Sequence, residues 1–334
     1  MSRKVLLLRE PEIRRVLDAA SCIEAVEQAF AAYATGGASL PAVIHLGVPE
    51  HRGEIHVKAG HLHGGSHYAV KIASGFPGNP AMGLPQNDGM VLVFDAATGA
   101  PAAILLDNGF ITEQRTAAAG AVAARHLSRQ DARIVAVLGA GNQARYQLES
   151  LLLVRPFREA RLWARRPERA RACAEEMAAR PGLPSGCRFA AAAGVQEAVA
   201  GADIVVTVTS SREPLLRAEW LSPGTHVTAV GSDGPDKQEL DPQVLKRADR
   251  VVADSRAQCL RLGEIHHAVE RGVIAADKVD SELGEIAAGL KPGRRSDAEI
   301  TVCDLTGVGV QDVATAALVL GRARAAELGQ YVEI

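Results

Sequence analysis

The chain has 334 residues, of which 47% are apolar and only 4% aromatic. That length exceeds what one hydrophobic core usually serves, so two domains are expected. With 37 Lys and Arg against 39 Asp and Glu, there is no electrostatic case for a nucleic-acid or membrane partner, and no apolar run is long enough to span a bilayer. The five cysteines, Cys22, Cys173, Cys187, Cys259 and Cys303, are scattered and form no C-x-x-C pair. Such a set points to reduced thiols, and the N-terminus carries no basic stretch leading into an apolar one, so a cytoplasmic globular protein is expected.

Two helices are predicted between Arg9 and Ala32, the second opened by a capping box at Ser21 and Glu24 and closed by Gly36-Gly37. From Pro41 to Phe94 the pattern becomes short alternating segments. Val43–Val48, Glu54–Ala59, Tyr68–Ala73 and Val91–Phe94 read as strands of a mostly antiparallel sheet. Asp95-Ala-Ala-Thr-Gly99 reads as a hairpin turn, with Ala102–Leu106 returning. A helix follows from about Glu113 to Leu127, with Thr112 as its expected N-cap.

After the polar linker Ser128–Asp131, strand and helix alternate. Ile134 to Leu138 is an unbroken apolar run, followed by Gly139-Ala-Gly141 and an amphipathic segment. Ala160–Ala164, Arg188–Ala192, Ile204–Val208, His226–Val230, Arg250–Ala253 and Ile300–Asp304 read as further strands, with helices between most of them. This order predicts a doubly wound parallel sheet. A last helix runs from about Gln311 to Leu328. The fold class expected is α/β: a Rossmann dinucleotide-binding domain over 129–311, plus an α+β domain formed by 1–128 with 312–334.

A strand, a G-x-G-x-x-A turn and a helix, in that order, predict dinucleotide binding. Gly139 permits the tight turn, Gly141 admits a pyrophosphate, Ala144 keeps helix and strand close, and the helix N-terminus attracts the anion. Asn142 and Gln143 complete the turn, and Thr207 and Thr209 at the end of Ile204–Val208 are grouped with the cofactor contacts. The second strand ends in Trp163-Ala-Arg-Arg-Pro167, without the acid that usually binds the ribose hydroxyls of NAD. Arg165 and Arg166 instead offer paired donors for a 2′-phosphate, so NADP(H) is expected, with NAD(H) left open.

Cations at structured positions are the second signal. Lys71 interrupts Tyr68-Ala-Val-Lys-Ile-Ala73, where an unpaired buried lysine would be costly. Arg115 is expected in the first turn of its helix, where the macrodipole disfavours a cation unless an anion joins it. Lys58 shares a strand face with His56. Each could also be an ordinary salt-bridge residue. The histidine pairs His61-x-His63 and His266-His267 lack a closed ligand set, so no metal is expected.

Lys71 with Gly75-Phe-Pro-Gly-Asn-Pro80, Ile111-Thr-Glu-Gln-Arg-Thr-Ala-Ala118, Gly139-Ala-Gly-Asn-Gln143, Val230-Gly-Ser-Asp233 with Lys237-Gln-Glu-Leu240, and Gly307-Val-Gly-Val-Gln-Asp312 together resemble the ornithine cyclodeaminase/mu-crystallin family. The resemblance covers nearly the whole chain in order. It implies a homodimer, with substrate binding and dimerisation assigned to the N-terminal part and the C-terminal helix. It also implies that Lys71 and Arg115 bind the substrate α-carboxylate and that Asp233 is the acid–base residue, with Lys71 counted beside it as catalytic. Asp233 would lie just beyond a strand's C-terminal end, where open sheets bind ligands. Ornithine cyclodeaminases usually carry an acid on the second strand of the substrate domain and an arginine on the first. Here His56 and the Pro41-Ala-Val-Ile44 stretch stand there, leaving Lys58 and His56 as substrate-binding candidates. The reading is therefore an NAD(P)H-dependent imine reductase or amino-acid dehydrogenase acting on a small 2-imino or L-amino acid. Ornithine cyclodeaminase and a mu-crystallin-like NADPH-binding protein are the alternatives.

Overall fold

The structure, a computed structural model, describes residues 3–184 and 186–334. The chain divides into two compact units, Met1–Arg115 with Val308–Ile334 and Thr116–Gly307. The division falls inside the helix Phe110–Leu127 rather than in the polar stretch 128–131.

The first unit holds an eight-stranded sheet. Its order is Gln330–Glu333, Lys4–Arg9, Pro101–Leu106, Asn87–Asp95, His67–Gly75, Gly53–Leu62 and Ala38–Ser39, with Ile44–Val48 also pairing with Gly53–Leu62. Neighbours are antiparallel except Lys4–Arg9 and Pro101–Leu106, which run parallel. Two helices cover it. Ala19–Ala34 buries Cys22, Ile23, Val26, Ala29 and Phe30, a stripe at i, i+4 and i+7 spacing. Gly309–Ala325 buries most of its surface, including Val313, Ala316, Val319 and Leu320.

Several local expectations change. The helix Ala19–Ala34 is capped by Asp18, whose carboxylate accepts the Ser21 N–H at 2.8 Å, so Ser21 lies inside the helix and is not its cap. Thr112 likewise lies within a helix that begins at Phe110, where Asp107 accepts the Ile111 N–H at 2.8 Å. Arg115 therefore stands in the second turn, and the argument from an unfavourable dipole at the first turn does not apply. Lys4–Arg9 and Gln330–Glu333 are strands that pattern reading overlooks. The former is a run of apolar residues without alternation, and the latter is an exposed edge with no buried face.

The second unit is built on eight parallel strands. Their order is Arg188–Ala191, Glu159–Trp163, Ile134–Leu138, Ile204–Thr207, His226–Ala229, Thr301–Asp304, Arg250–Ala253 and Val279–Glu282. The chain winds outward from Ile134–Leu138 in one direction, then returns to its other side at Ile204–Thr207. That reversal is the switch point of a doubly wound fold, beside which ligands bind at the carboxyl edge. Val135 to Leu138, Val205, Val206, Val227 and Val302 are all fully buried, as strands covered on both faces require. The edge strand Val279–Glu282 escapes notice because two of its four residues are acidic.

Candidate active site

In the first unit, Lys58 and Lys71 are cross-strand partners, so their side chains leave the same face of the sheet. Both are buried, with 7% and 2% of their surface exposed. Asp312, in the first turn of Gly309–Ala325, reaches this face. Its Oδ1 lies 3.5 Å from Lys71 Nζ and accepts a hydrogen bond from Arg115 Nε at 2.9 Å. Arg115 Nη1 also donates to Gln311 Oε1 at 3.4 Å. The helix start favours an acid at position 312 through its dipole.

Charge, more than contact, distinguishes this cluster. Burial pushes Lys71 down to about 7, and Arg115 and Lys58 push the same way while Asp312 opposes them. Burial alone would raise Asp312, but Arg115, Lys71 and Lys58 outweigh it and hold the carboxyl below its ordinary range. Asp107 is pushed up to about 6 by burial, against the Ile111 N–H bond and the field of Lys71. Three basic side chains thus surround one firmly ionised carboxylate. A ligand carboxylate entering here would offset part of the positive charge that Asp312 leaves.

In the second unit, Gly139 has φ of 131°, and a Cβ there would lie 2.8 Å from both the Val208 Cγ2 and carbonyl oxygen. Only glycine fits the turn. Gly141 is the N-cap of Asn142–Val154 and supplies no side-chain cap, while Ala144 is fully buried against the strand. An uncapped helix start in an open turn fits a pyrophosphate. Arg165 and Arg166 are exposed just past Glu159–Trp163, and Arg166 lies 3.9 Å from Glu168, a solvated pair.

Two adjacent strand ends of the second unit are tied together by Glu239. It accepts the Thr209 N–H and hydroxyl at 2.6 and 2.7 Å and the Gly231 N–H at 2.8 Å. Burial pushes its carboxyl up to about 7, against these hydrogen bonds. A Cβ on Gly231 would collide with the Thr209 carbonyl and with Glu239 itself. Thr207 is fully buried beside this tie. Asp233 follows two residues after Gly231; its carboxylate accepts a hydrogen bond from Lys237 Nζ at 2.7 Å and is 42% exposed. Asp312, Glu239 and Lys237 were not among the expected site residues. Both acids sat within quoted motifs, but local pattern gives neither a partner.

His56 takes its contacts from Glu54 and His45, which lie beside it on the same sheet face. His61 and His63 instead bond Gly65 and Ser39, at 3.3 and 2.8 Å. No helix among the described residues is long and apolar enough to cross a membrane.

A doubly wound parallel sheet with an uncapped glycine turn, in a chain that also carries a buried cation cluster, defines a two-unit α/β oxidoreductase. Residues 3–327 match the ornithine cyclodeaminase/mu-crystallin family, and the chain belongs to that family. An uncharacterized cyclodeaminase of Sinorhizobium fredii is 48% identical, over 98% of both chains. An alanine dehydrogenase of Archaeoglobus fulgidus is 36% identical, over 99% of this chain and 98% of its own. Among solved structures, the Thermococcus litoralis Δ1-pyrroline-2-carboxylate reductase in complex with NADH and L-proline aligns with a TM-score of 0.93. It is 34% identical, over 98% of this chain and 100% of its own.

Proposed function

We propose that this chain is an NAD(P)H-dependent imine reductase or amino-acid dehydrogenase, interconverting a small 2-imino acid and an L-amino acid. The observation that carries this reading is the buried set of Lys58, Lys71 and Arg115 around a single ionised acid, Asp312. A 2-imino acid brings the α-carboxylate that such a set would hold. Lys71 and Arg115 grip it, Lys58 adds the third cation, and Asp312 fixes the first two in place. The glycine turn at Gly139 and Gly141 receives the pyrophosphate, with Asn142, Gln143, Ala144, Thr207 and Thr209 around it. Arg165 and Arg166 favour NADP(H) over NAD(H). The nicotinamide, when bound, supplies the hydride for the imine carbon. Asp233 handles the proton of the substrate nitrogen, and Lys237 Nζ, donating to its carboxylate at 2.7 Å, positions it.

The names of the alanine dehydrogenase and pyrroline-carboxylate reductase relatives support the reaction class. The test is oxidation of NADPH and NADH with cyclic ketimines, and with 2-oxo acids plus ammonia or methylamine. Net nucleotide oxidation with at least one of these is expected; a panel with no turnover of either nucleotide sinks the proposal. The cyclodeaminase relative favours a second reading, in which ornithine yields proline and ammonia with no net nucleotide consumption. Incubation with ornithine that forms no proline removes it. The working form is a homodimer, and sedimentation as a single chain would remove that part.

A further inference from the structure

Three side chains of the first unit converge without bonding one another. His45 and His56 are cross-strand partners whose rings stack with centroids 4.5 Å apart. Glu54, two residues before His56, shares its strand face. Glu54 Oε2 lies 3.9 Å from His56 Nε2 and 4.0 Å from His45 Nε2. These separations are too long for hydrogen bonds. One ligand atom from each residue nevertheless falls within 4.8 Å of the other two. His56 Nε2 is also buried and has no hydrogen-bond partner among the described residues, a costly state for an imidazole nitrogen.

Ligand atoms gathered within 4.8 Å of one another, without hydrogen bonds among them, are placed as ligands are around an ion. Tetrahedral zinc, with bonds of about 2.0–2.1 Å to imidazole nitrogen, sets its ligands roughly 3.3–3.4 Å apart. Closing from 3.9 and 4.0 Å needs only small side-chain rotations on two hydrogen-bonded strands. The ligand chemistry selects the ion: two imidazoles and one carboxylate suit zinc and its neighbours, whereas calcium and magnesium prefer all-oxygen sets. In the other candidate group, His266, His267 and Glu270, no buried imidazole nitrogen is left without a hydrogen-bond partner, and His267 Nε2 bonds the Lys237 carbonyl oxygen at 2.9 Å. We propose that His45, Glu54 and His56 form a binding site for a divalent transition-metal ion of the zinc class, with a fourth position open to water or a small anionic ligand. Local spacing hides the set, since His45 and His56 meet only when the two strands pair. The proposal stands apart from the reaction assigned above and needs no nucleotide.

The test is calorimetric titration of the chelator-treated full chain with Zn2+, together with the visible absorption of bound Co2+. The wild type is expected to take up Zn2+, to show the intense band of tetrahedral Co2+, and to melt at a higher temperature with Zn2+ present. His45→Asn and His56→Asn should each weaken Zn2+ binding by at least roughly tenfold and abolish the thermal shift. His266→Asn should change neither. Absence of Zn2+ uptake overturns the proposal, as does uptake that survives both substitutions or is lost with His266→Asn. Should His56→Asn fail to fold by circular dichroism, His45→Asn on its exposed strand and Glu54→Gln decide the matter by the same readouts.

Discussion

The glycine turn of the second unit and the cation cluster of the first both present positive potential, by opposite means. The turn uses backbone: an uncapped helix start and a glycine at φ 131°. Nothing in that arrangement titrates. The cluster uses side chains, three cations gathered around Asp312 from three separate segments, and one of them, Lys71, is pushed down to about 7 by burial. A backbone site is robust to pH and needs only local sequence. A side-chain site is tunable, but depends on a counter-ion to exist at all.

The largest expected effect strikes that dependence. Asp312→Ala leaves Lys71 and Arg115 buried without their shared acid, a change that costs about 3–5 kcal/mol when a buried pair is broken. Denaturant unfolding should show this loss, while nucleotide affinity of the folded variant is retained. A loss below about 1 kcal/mol would mean that the acid does not organise the cluster. The next effect separates chemistry from binding. Asp233→Asn should lower kcat by roughly a hundredfold while nucleotide affinity holds, because proton transfer and not cofactor contact is removed. Unchanged turnover would take Asp233 out of the mechanism.

The smallest effect reads the contrast directly. On the proposed reading the substrate carboxylate needs charged Lys71, so KM for the imino acid should be flat below about pH 7 and rise by up to about tenfold per unit above it. The sign follows from a depressed lysine: raising the pH through its folded value removes the positive charge. NADH affinity, resting on backbone groups, should stay level over the same range. Parallel titration of the two affinities checks both halves, and a KM that falls with rising pH would reverse the assignment.

What could be read beforehand divides along the same line. The strand, turn and helix around Gly139 were legible because one contiguous stretch, 134–154, contains the whole device. Lys71 and Arg115 were singled out, but for Arg115 the reason was displaced. Thr112 looked like a cap, whereas Asp107 starts the helix a turn's fraction earlier. Asp312 sat in view within Gly307-Val-Gly-Val-Gln-Asp312, yet nothing local says that its partners lie on a distant strand and helix. The same holds for Glu239, whose bonds to Thr209 and Gly231 join two strand ends, and for His45 opposite His56. The edge strand Gln330–Glu333 was missed because it buries nothing, and periodicity only reports burial.

The closing helix has one more consequence, for biosynthesis. Asp312 emerges from the ribosome after the whole of Thr116–Gly307, because that unit is an insertion between the two parts of the first. The parallel sheet can therefore fold while Lys58, Lys71 and Arg115 still await their counter-charge. The nascent first unit must hold those cations solvated until Gly309–Ala325 docks. A chain terminated before that helix would carry the complete parallel sheet and a cation cluster that lacks its acid.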